Sequence, residues 1–174
     1  MCPIWRNAKR ACAVSLALLF CSVATIWPSR GAEQKADRIE IHKADHLMNL
    51  LRAGKVIKTY KVALSTVPVG AKEREGDHKV PEGQYIIDRK NPQSQFHLAL
   101  HVSYPNAADR ERARKRGVRP GGDIEIHGLA PKFAWVGAAH RQMDWTDGCI
   151  AVTSTEIEEI FPLVDVGTQV EIFP

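Results

Sequence analysis

Two short segments hold the residue types that covalent chemistry needs. Cys149 lies in Trp145-Thr146-Asp147-Gly148-Cys149-Ile150, and 22 residues upstream His127 lies in Ile124-Glu125-Ile126-His127-Gly128. A free thiol is only a few per cent ionised near neutral pH, so a cysteine nucleophile needs an imidazole or another group that takes its proton. His127 alternates away from Ile124 and Ile126, which turns it and Glu125 toward the other face of a strand, and Gly128 lets backbone or substrate approach closely. Gly148 relieves crowding beside Cys149. The turn can aim backbone N–H groups, that of Cys149 among them, at the oxygen of a tetrahedral intermediate. An inert buried thiol is the alternative, and the polar run from Trp145 to Gly148 speaks against a core strand there.

The remaining cysteines, Cys2, Cys12 and Cys21, all fall within residues 1–31. There Arg6, Lys9 and Arg10 precede an apolar stretch from Ala11 to Trp27, and Pro28-Ser29-Arg30-Gly31-Ala32 supplies small residues, the three-part pattern of an export leader. Residues 1–31 are therefore expected to be a signal peptide, with an uncleaved anchor as the alternative, and residues 32–174 a single domain. Export implies a periplasmic or cell-envelope location. An unpaired thiol in an oxidising compartment is a liability unless its reactivity is the purpose, which favours Cys149 as a nucleophile. Lys and Arg number 24 against 20 Asp and Glu, but four of the basic residues and none of the acidic ones lie in residues 1–31. The rest of the chain is balanced in charge, so nothing in its pI supports nucleic-acid binding, and membrane contact is expected only through an uncleaved leader.

Period-two patterning dominates the elements that must position these residues. Ile39 and Ile41, then Leu47 to Leu51, then Val56, Tyr60, Val62 and Leu64 predict a meander with a turn at Arg52-Ala53-Gly54-Lys55. Ser65 to Pro81 reads as a long polar loop. Strands are predicted at Gln84 to Asp88, Phe96 to Val102, Ile124 to His127 and Thr168 to Phe173. Asn106 to Arg116 has helix-forming composition closed by Gly117, and Thr153-Ser154-Thr155-Glu156 opens a second helix with a capping box, Pro162 restricting its extension. The expected fold is mainly β or α+β, an antiparallel β-rich domain with few short helices.

Ile126-His127-Gly128 followed by Thr146-Asp147-Gly148-Cys149-Ile150 resembles the His-Gly and Ser/Thr-x-Gly-Cys signature of the YkuD-type L,D-transpeptidase catalytic domain family. Lys79-Val80-Pro81-Glu82-Gly83 before a strand is similar to the family's Thr-Pro-x-Gly segment. Asp144-Trp145-Thr146-Asp147 and Ser103-Tyr104-Pro105-Asn106 resemble its YafK-like branch. The resemblance implies an envelope enzyme acting on peptidoglycan stem peptides: Cys149 attacks the carbonyl of the third, diamino-acid residue, expels the terminal D-alanine and forms a thioester, which an amine on another stem or on a lipoprotein resolves. It further implies His127 as general base, the Gly128 carbonyl as orienter of the imidazole, Gly148 and Cys149 as shapers of the oxyanion site, and no metal or organic cofactor.

One position departs from that pattern. The family usually carries Arg two residues beyond the cysteine, and here Ala151 stands there, with no Lys, Arg or His after Cys149. Arg141 and Arg119 are conceivable substitutes. With an altered acceptor groove, water can resolve the thioester, so hydrolysis of a crosslink or release of an attached lipoprotein is the alternative reading, which the YafK-like resemblance strengthens. A non-catalytic wall-binding module is the remaining class. Papain-like and NlpC/P60-like peptidases place the cysteine before its histidine, which the order here excludes, and sortase-like transpeptidases share the His-then-Cys order but use an Arg after the cysteine, which this chain lacks. Thr146, Asp147, Trp145, His140, Arg141 and Tyr104 are candidate substrate contacts. His140 and Asp144 are spaced i, i+4, but no compact ligand motif surrounds them and a metal would quench the thiol, so no metal site is expected. His97 and His101 read as a polar sheet face. The basic run from Arg110 to Arg119 reads as a solvated helix, with contact to anionic glycan, stem carboxylates or lipid head groups as the alternative.

Overall fold

Alternating apolar residues fold into strands along most of the chain. The computed structural model describes residues 35–174; the leader expected over residues 1–31 lies outside the described residues. The strands are β1 (Ala36–His42), β2 (Leu47–Arg52), β3 (Lys55–Lys61), β4 (Gly83–Ser94), β5 (His97–Val102), β6 (Glu125–His127), β7 (Ile150–Ala151) and β8 (Val164–Phe173). They form one sheet in the order β3-β2-β1-β8-β4-β5-β6-β7. Two helices, α1 (Ala107–Arg116) and α2 (Ser154–Leu163), and a kinked 3₁₀ segment, Pro131–Gln142, accompany it.

The predicted meander is the β1–β2–β3 edge. Ala53 and Gly54 both take positive φ in its two-residue turn, the left-handed geometry that matches the twist of a tight hairpin. Ile39 and Ile41 of β1 are fully buried while Arg38 and Glu40 face outward, and Met48 and Leu50 meet them from β2. Two neighbouring pairs, β1–β8 and β6–β7, are parallel, in a sheet otherwise antiparallel. Side chains alternate with period two in either direction, so apolar spacing alone does not reveal this. β4 extends to Ser94 and β8 starts at Val164, both beyond the predicted strands. The residues added to β4 are largely polar and are held by main-chain pairing with β5, whereas β8 begins on Val164, fully buried in the core.

α2 follows its predicted cap. The Thr153 side chain accepts from the Glu156 N–H and the Glu156 carboxylate accepts from the Thr153 N–H, which satisfies two amides at the helix start. Ile157, Ile160 and Leu163 are buried in the core, each contributing roughly 1.5–3 kcal/mol by leaving water. α1 is capped by Asn106 and closed by Gly117 in the left-handed region. Its basic residues face solvent and pair locally: Arg114 and Lys115 with Glu111, Arg112 with Asp109, Arg116 with Glu73. That is the solvated-helix reading.

The loop between β3 and β4 has no strand of its own, yet it is tied down by one carboxylate. Asp77 accepts from Lys72 Nζ at 2.8 Å and from the N–H groups of Glu73, Arg74 and Lys79 at 2.7, 2.9 and 3.2 Å. Burial opposes the Asp77 charge, but the Lys72 ammonium and the amides outweigh it and hold the carboxyl at about 2, against an ordinary 3.8. A folded-state value below the unfolded one stabilises the fold above pH 4, and the contribution disappears as pH falls through about 2. Asp77→Ala should lower unfolding free energy by about 3 kcal/mol at pH 7, because it strands the buried Lys72. Urea unfolding at pH 7 and pH 2 should show the gap between variant and parent narrowing in acid.

Candidate active site

Strand register places the two chemical residues. β6 and β7 pair with Ile126 opposite Ile150 and His127 opposite Ala151; β5 flanks β6 with Ala99 opposite His127 and His101 opposite Glu125. Paired residues share a face, as do residues i and i+2, so Glu125, His127, His101 and Ala151 line one face. Leu100, Ile126 and Ile150 take the other and are fully buried. The Cys149 sulfur accepts from the Glu125 N–H at 3.4 Å, and its S–H donates to the Asp123 carbonyl at 3.5 Å. The thiol therefore lies over the start of β6, two residues from His127.

Two glycines permit this closeness for different reasons. Gly148 has φ +125°, which side chains rarely adopt, and a Cβ there would stand 2.8 Å from the Lys79 carbonyl, where the loop before β4 meets the cysteine turn. At Gly128 a Cβ would stand 2.7 Å from Ile157 Cγ2 and 3.1 Å from the Phe96 carbonyl, so α2 and the start of β5 press directly behind the histidine. Thr146 braces the turn, its hydroxyl donating to the Cys149 carbonyl at 2.7 Å.

His127 is 1% exposed, stacked on Phe96 at 4.3 Å between ring centroids and met by the edge of Trp145 at 5.9 Å. Its Nδ1 lies 2.7 Å from the Gly128 carbonyl. A carbonyl only accepts, so Nδ1 carries the hydrogen and Nε2 is left with a free lone pair. Burial lowers the His127 pKa. Burial also pushes the Cys149 thiol up to about 11; the Glu125 N–H works the other way, and the carboxylates of Glu125, Asp147 and Asp123 add to the rise. At rest the pair is a neutral thiol and a neutral imidazole. Such a pair can pass a proton from sulfur to nitrogen as the sulfur attacks an acyl carbon, which is general-base rather than ion-pair nucleophilic catalysis.

The remaining candidates divide. Trp145 borders the imidazole and sends its Nε1–H to His140 Nδ1 at 3.4 Å. His140 is buried, its Nε2 without a partner among the described residues, and burial followed by the Arg141 charge lowers it to about 4. It lines an apolar cleft of 690 Å³ with Phe96, Leu129, Phe133, Met143 and Trp145. Asp147 is exposed and meets His78 Nδ1 at 2.8 Å. Three candidates have other work. Arg141 pairs with Glu156 of the α2 cap; Thr146 is a 4% exposed brace; Tyr104 is buried with its hydroxyl on the Pro120 carbonyl and burial raising its pKa. Thr146 and Tyr104 are thus satisfied by the protein, whereas the buried Arg141 Nε has no hydrogen-bond partner among the described residues.

Asp144 accepts from His46 Nε2 at 2.9 Å and the Leu64 N–H at 2.7 Å, and among the described residues no three His, Cys, Asp or Glu gather as a metal site. His97 and His101 part company: His97 reaches Glu158 of α2, whereas His101 is buried on Asp88. Arg119 pairs with Glu75, and Ala151 is fully buried, its backbone bonded both ways to Ala63 at 2.9 Å. Sequence reasoning missed Phe96 and Asp123. Phe96 reads in the sequence as the first apolar residue of a strand but lies just before β5, and Asp123 acts through a carbonyl, which no residue type advertises.

Comparisons with known proteins bear on the fold. Residues 36–172 match the model of the YkuD family, described as L,D-transpeptidase catalytic domain. The chain is 29% identical over 149 residues to "Putative L,D-transpeptidase YafK" of Escherichia coli, covering 78% of this chain and 53% of that protein. It thus spans about half the length of the curated relatives it matches. The helical cell shape determining protein Pgp2 of Campylobacter jejuni superposes with a TM-score of 0.60 at 26% identity, over 80% of this chain and 48% of that one. An L,D-transpeptidase from Mycobacterium smegmatis shares the fold at 12% identity, with a TM-score of 0.52 over 79% of this chain and 58% of that one.

The resting protonation states predict a distinctive pH profile. Alkylation of Cys149 by iodoacetamide should show no plateau at acid or neutral pH and should climb as pH rises toward about 11. A thiolate plateau below pH 7 would mean that sulfur and imidazole rest as an ion pair. Gly148→Ala should cut both alkylation and soluble yield, since a Cβ at that φ collides with the Lys79 carbonyl.

Proposed function

This chain belongs to the L,D-transpeptidase catalytic domain family, and we propose that it is an exported enzyme acting by cysteine acyl transfer on peptidoglycan stem peptides. The observation that carries this reading is the His127–Cys149 arrangement. Nδ1–H is committed to the Gly128 carbonyl, which leaves Nε2 as the proton acceptor, and the sulfur rests on the N–H of Glu125, two residues before this histidine on β6.

The steps follow from these positions. His127 Nε2 takes the S–H proton as sulfur attacks the carbonyl of the third, diamino-acid residue. Charge then collects on the carbonyl oxygen, which the Cys149 N–H, in the turn held by Gly148 and Thr146, stabilises. Collapse breaks the C–N bond, and His127 returns the proton to the departing D-alanine amine. A thioester on Cys149 remains. In the second half an amine of another stem or of an envelope protein loses a proton to His127, attacks the thioester and restores the thiol.

Incubating the protein with purified sacculi and tetrapeptide muropeptides, followed by mass spectrometry, tests both halves. A Cys149 acyl adduct and new links through the diamino acid are expected. Freed stems or a released attached protein in place of new links would assign water as the second nucleophile, the reading that Ala151 favours by leaving no cation at that position. Cys149→Ala should abolish the adduct, and His127→Ala should reduce acylation by two to four orders of magnitude while the fold persists. A His127→Ala protein that acylates at the parent rate would remove the histidine from the mechanism. No Cys149-dependent adduct with any stem would leave a wall-binding module.

A further inference from the structure

Four rings from four parts of the chain stand in a row: Phe96 before β5, His127 on β6, Trp145 in the cysteine turn and His140 near the end of the 3₁₀ segment. His127 stacks on Phe96 at 4.3 Å, Trp145 meets the imidazole edge-on at 5.9 Å, and His140 meets the indole at 6.3 Å with the planes 80° apart. Little else places Trp145. Its main-chain N–H donates to the Leu64 carbonyl at 3.0 Å, and the indole Nε1–H donates to His140 Nδ1 at 3.4 Å.

His140 is suited to that one bond. It is the buried residue of the 3₁₀ segment, 8% exposed where Ala138, Ala139 and Gln142 face solvent. An indole N–H only donates, so His140 carries a lone pair on Nδ1 and its hydrogen on Nε2, the reverse of the tautomer that the Gly128 carbonyl imposes on His127. The Nε2 atom is buried with no partner among the described residues. A buried N–H without an acceptor works against the fold, so stability does not account for a histidine here, whereas the Nδ1 acceptor does. Burial, and after it the Arg141 charge, holds the His140 pKa at about 4, which keeps Nδ1 an acceptor at neutral pH.

The row matters for the base. One hydrogen bond, Nδ1–H to the Gly128 carbonyl, leaves the His127 ring free to tilt about that axis, and Phe96 and Trp145 remove the freedom from either side. We infer, on the acyl-transfer reading above, that His140 is a positioning residue: through Nδ1 it holds the Trp145 indole against the His127 imidazole, and the indole keeps water from the base and restrains its tilt.

Two measurements separate positioning from chemistry. NMR titration of the imidazole protons, with those of His127 assigned by their loss in His127→Ala, reads the base without turnover. Burial holds the His127 pKa below the ordinary 6.5 in the parent, and it should rise toward 6.5 in His140→Ala and in Trp145→Phe, which keeps a ring but loses the N–H. It should fall back in His140→Asn, whose Oδ1 stands in for Nδ1. Acylation of Cys149 by tetrapeptide stems, followed by mass spectrometry, should slow by about tenfold or more in His140→Ala and recover in His140→Asn. Adding His140→Ala to Trp145→Phe should slow it no further, since the two side chains act as one.

His140→Leu, which fills the place without an acceptor, replaces the alanine variant if that chain does not fold. An unmoved His127 pKa, acylation at the parent rate once His140 is replaced, or independent losses from His140 and Trp145 overturns the inference. A parent that gives no adduct while the His127 pKa moves as described would sink acyl transfer and leave the imidazole held by His140 through Trp145.

Discussion

Parallel pairing between two very short strands holds this site together. β6 and β7 share only two register pairs, yet they bring His127 and Cys149 to one face from positions 22 residues apart. Parallel neighbours need a crossover rather than a tight turn, and the 3₁₀ segment Pro131–Gln142 lies in that crossover. So short a ladder is weak alone. It is clamped by Ala63 on the far side of Ala151, by the Thr146 hydroxyl on the Cys149 carbonyl, and by α2 packed behind Gly128.

The same packing sets the chemistry. Phe96, Trp145 and the strands remove water from the imidazole, which disfavours its charged form; partial burial does the same to the thiolate. Both effects point the same way, toward a neutral imidazole and a protonated sulfur. The Gly128 carbonyl makes this workable, because it fixes the tautomer that leaves Nε2 as the acceptor. Around the thiol the protein then divides its surface, with an apolar cleft past Phe96 and Trp145 and a charged one past Asp123.

Much of this was legible in residue order. Period-two alternation marked the strands, the Thr153–Glu156 box marked α2, and Gly117 marked the end of α1, because each is a local preference that neighbouring residues decide. Polar strand extensions were not legible: residues 89–94 of β4 are held by main-chain bonds to β5, which any side chain permits. Arg141 shows the same limit at the site. Its position near Cys149 suggested a substrate contact, but its guanidinium completes the α2 cap through Glu156, a partner 15 residues away.

By itself the sequence determined which groups can react. One cysteine after residue 31, a glycine before it and a His-Gly on a short strand are composition and local spacing, and chemistry constrains those directly. Only the tertiary structure decided how they are used. Strand direction and register are long-range choices to which a period-two pattern is indifferent, and burial depends on what other segments cover. The neutral thiol–imidazole pair, the Asp123 carbonyl on the sulfur, and the two unlike clefts beside it all follow from those choices.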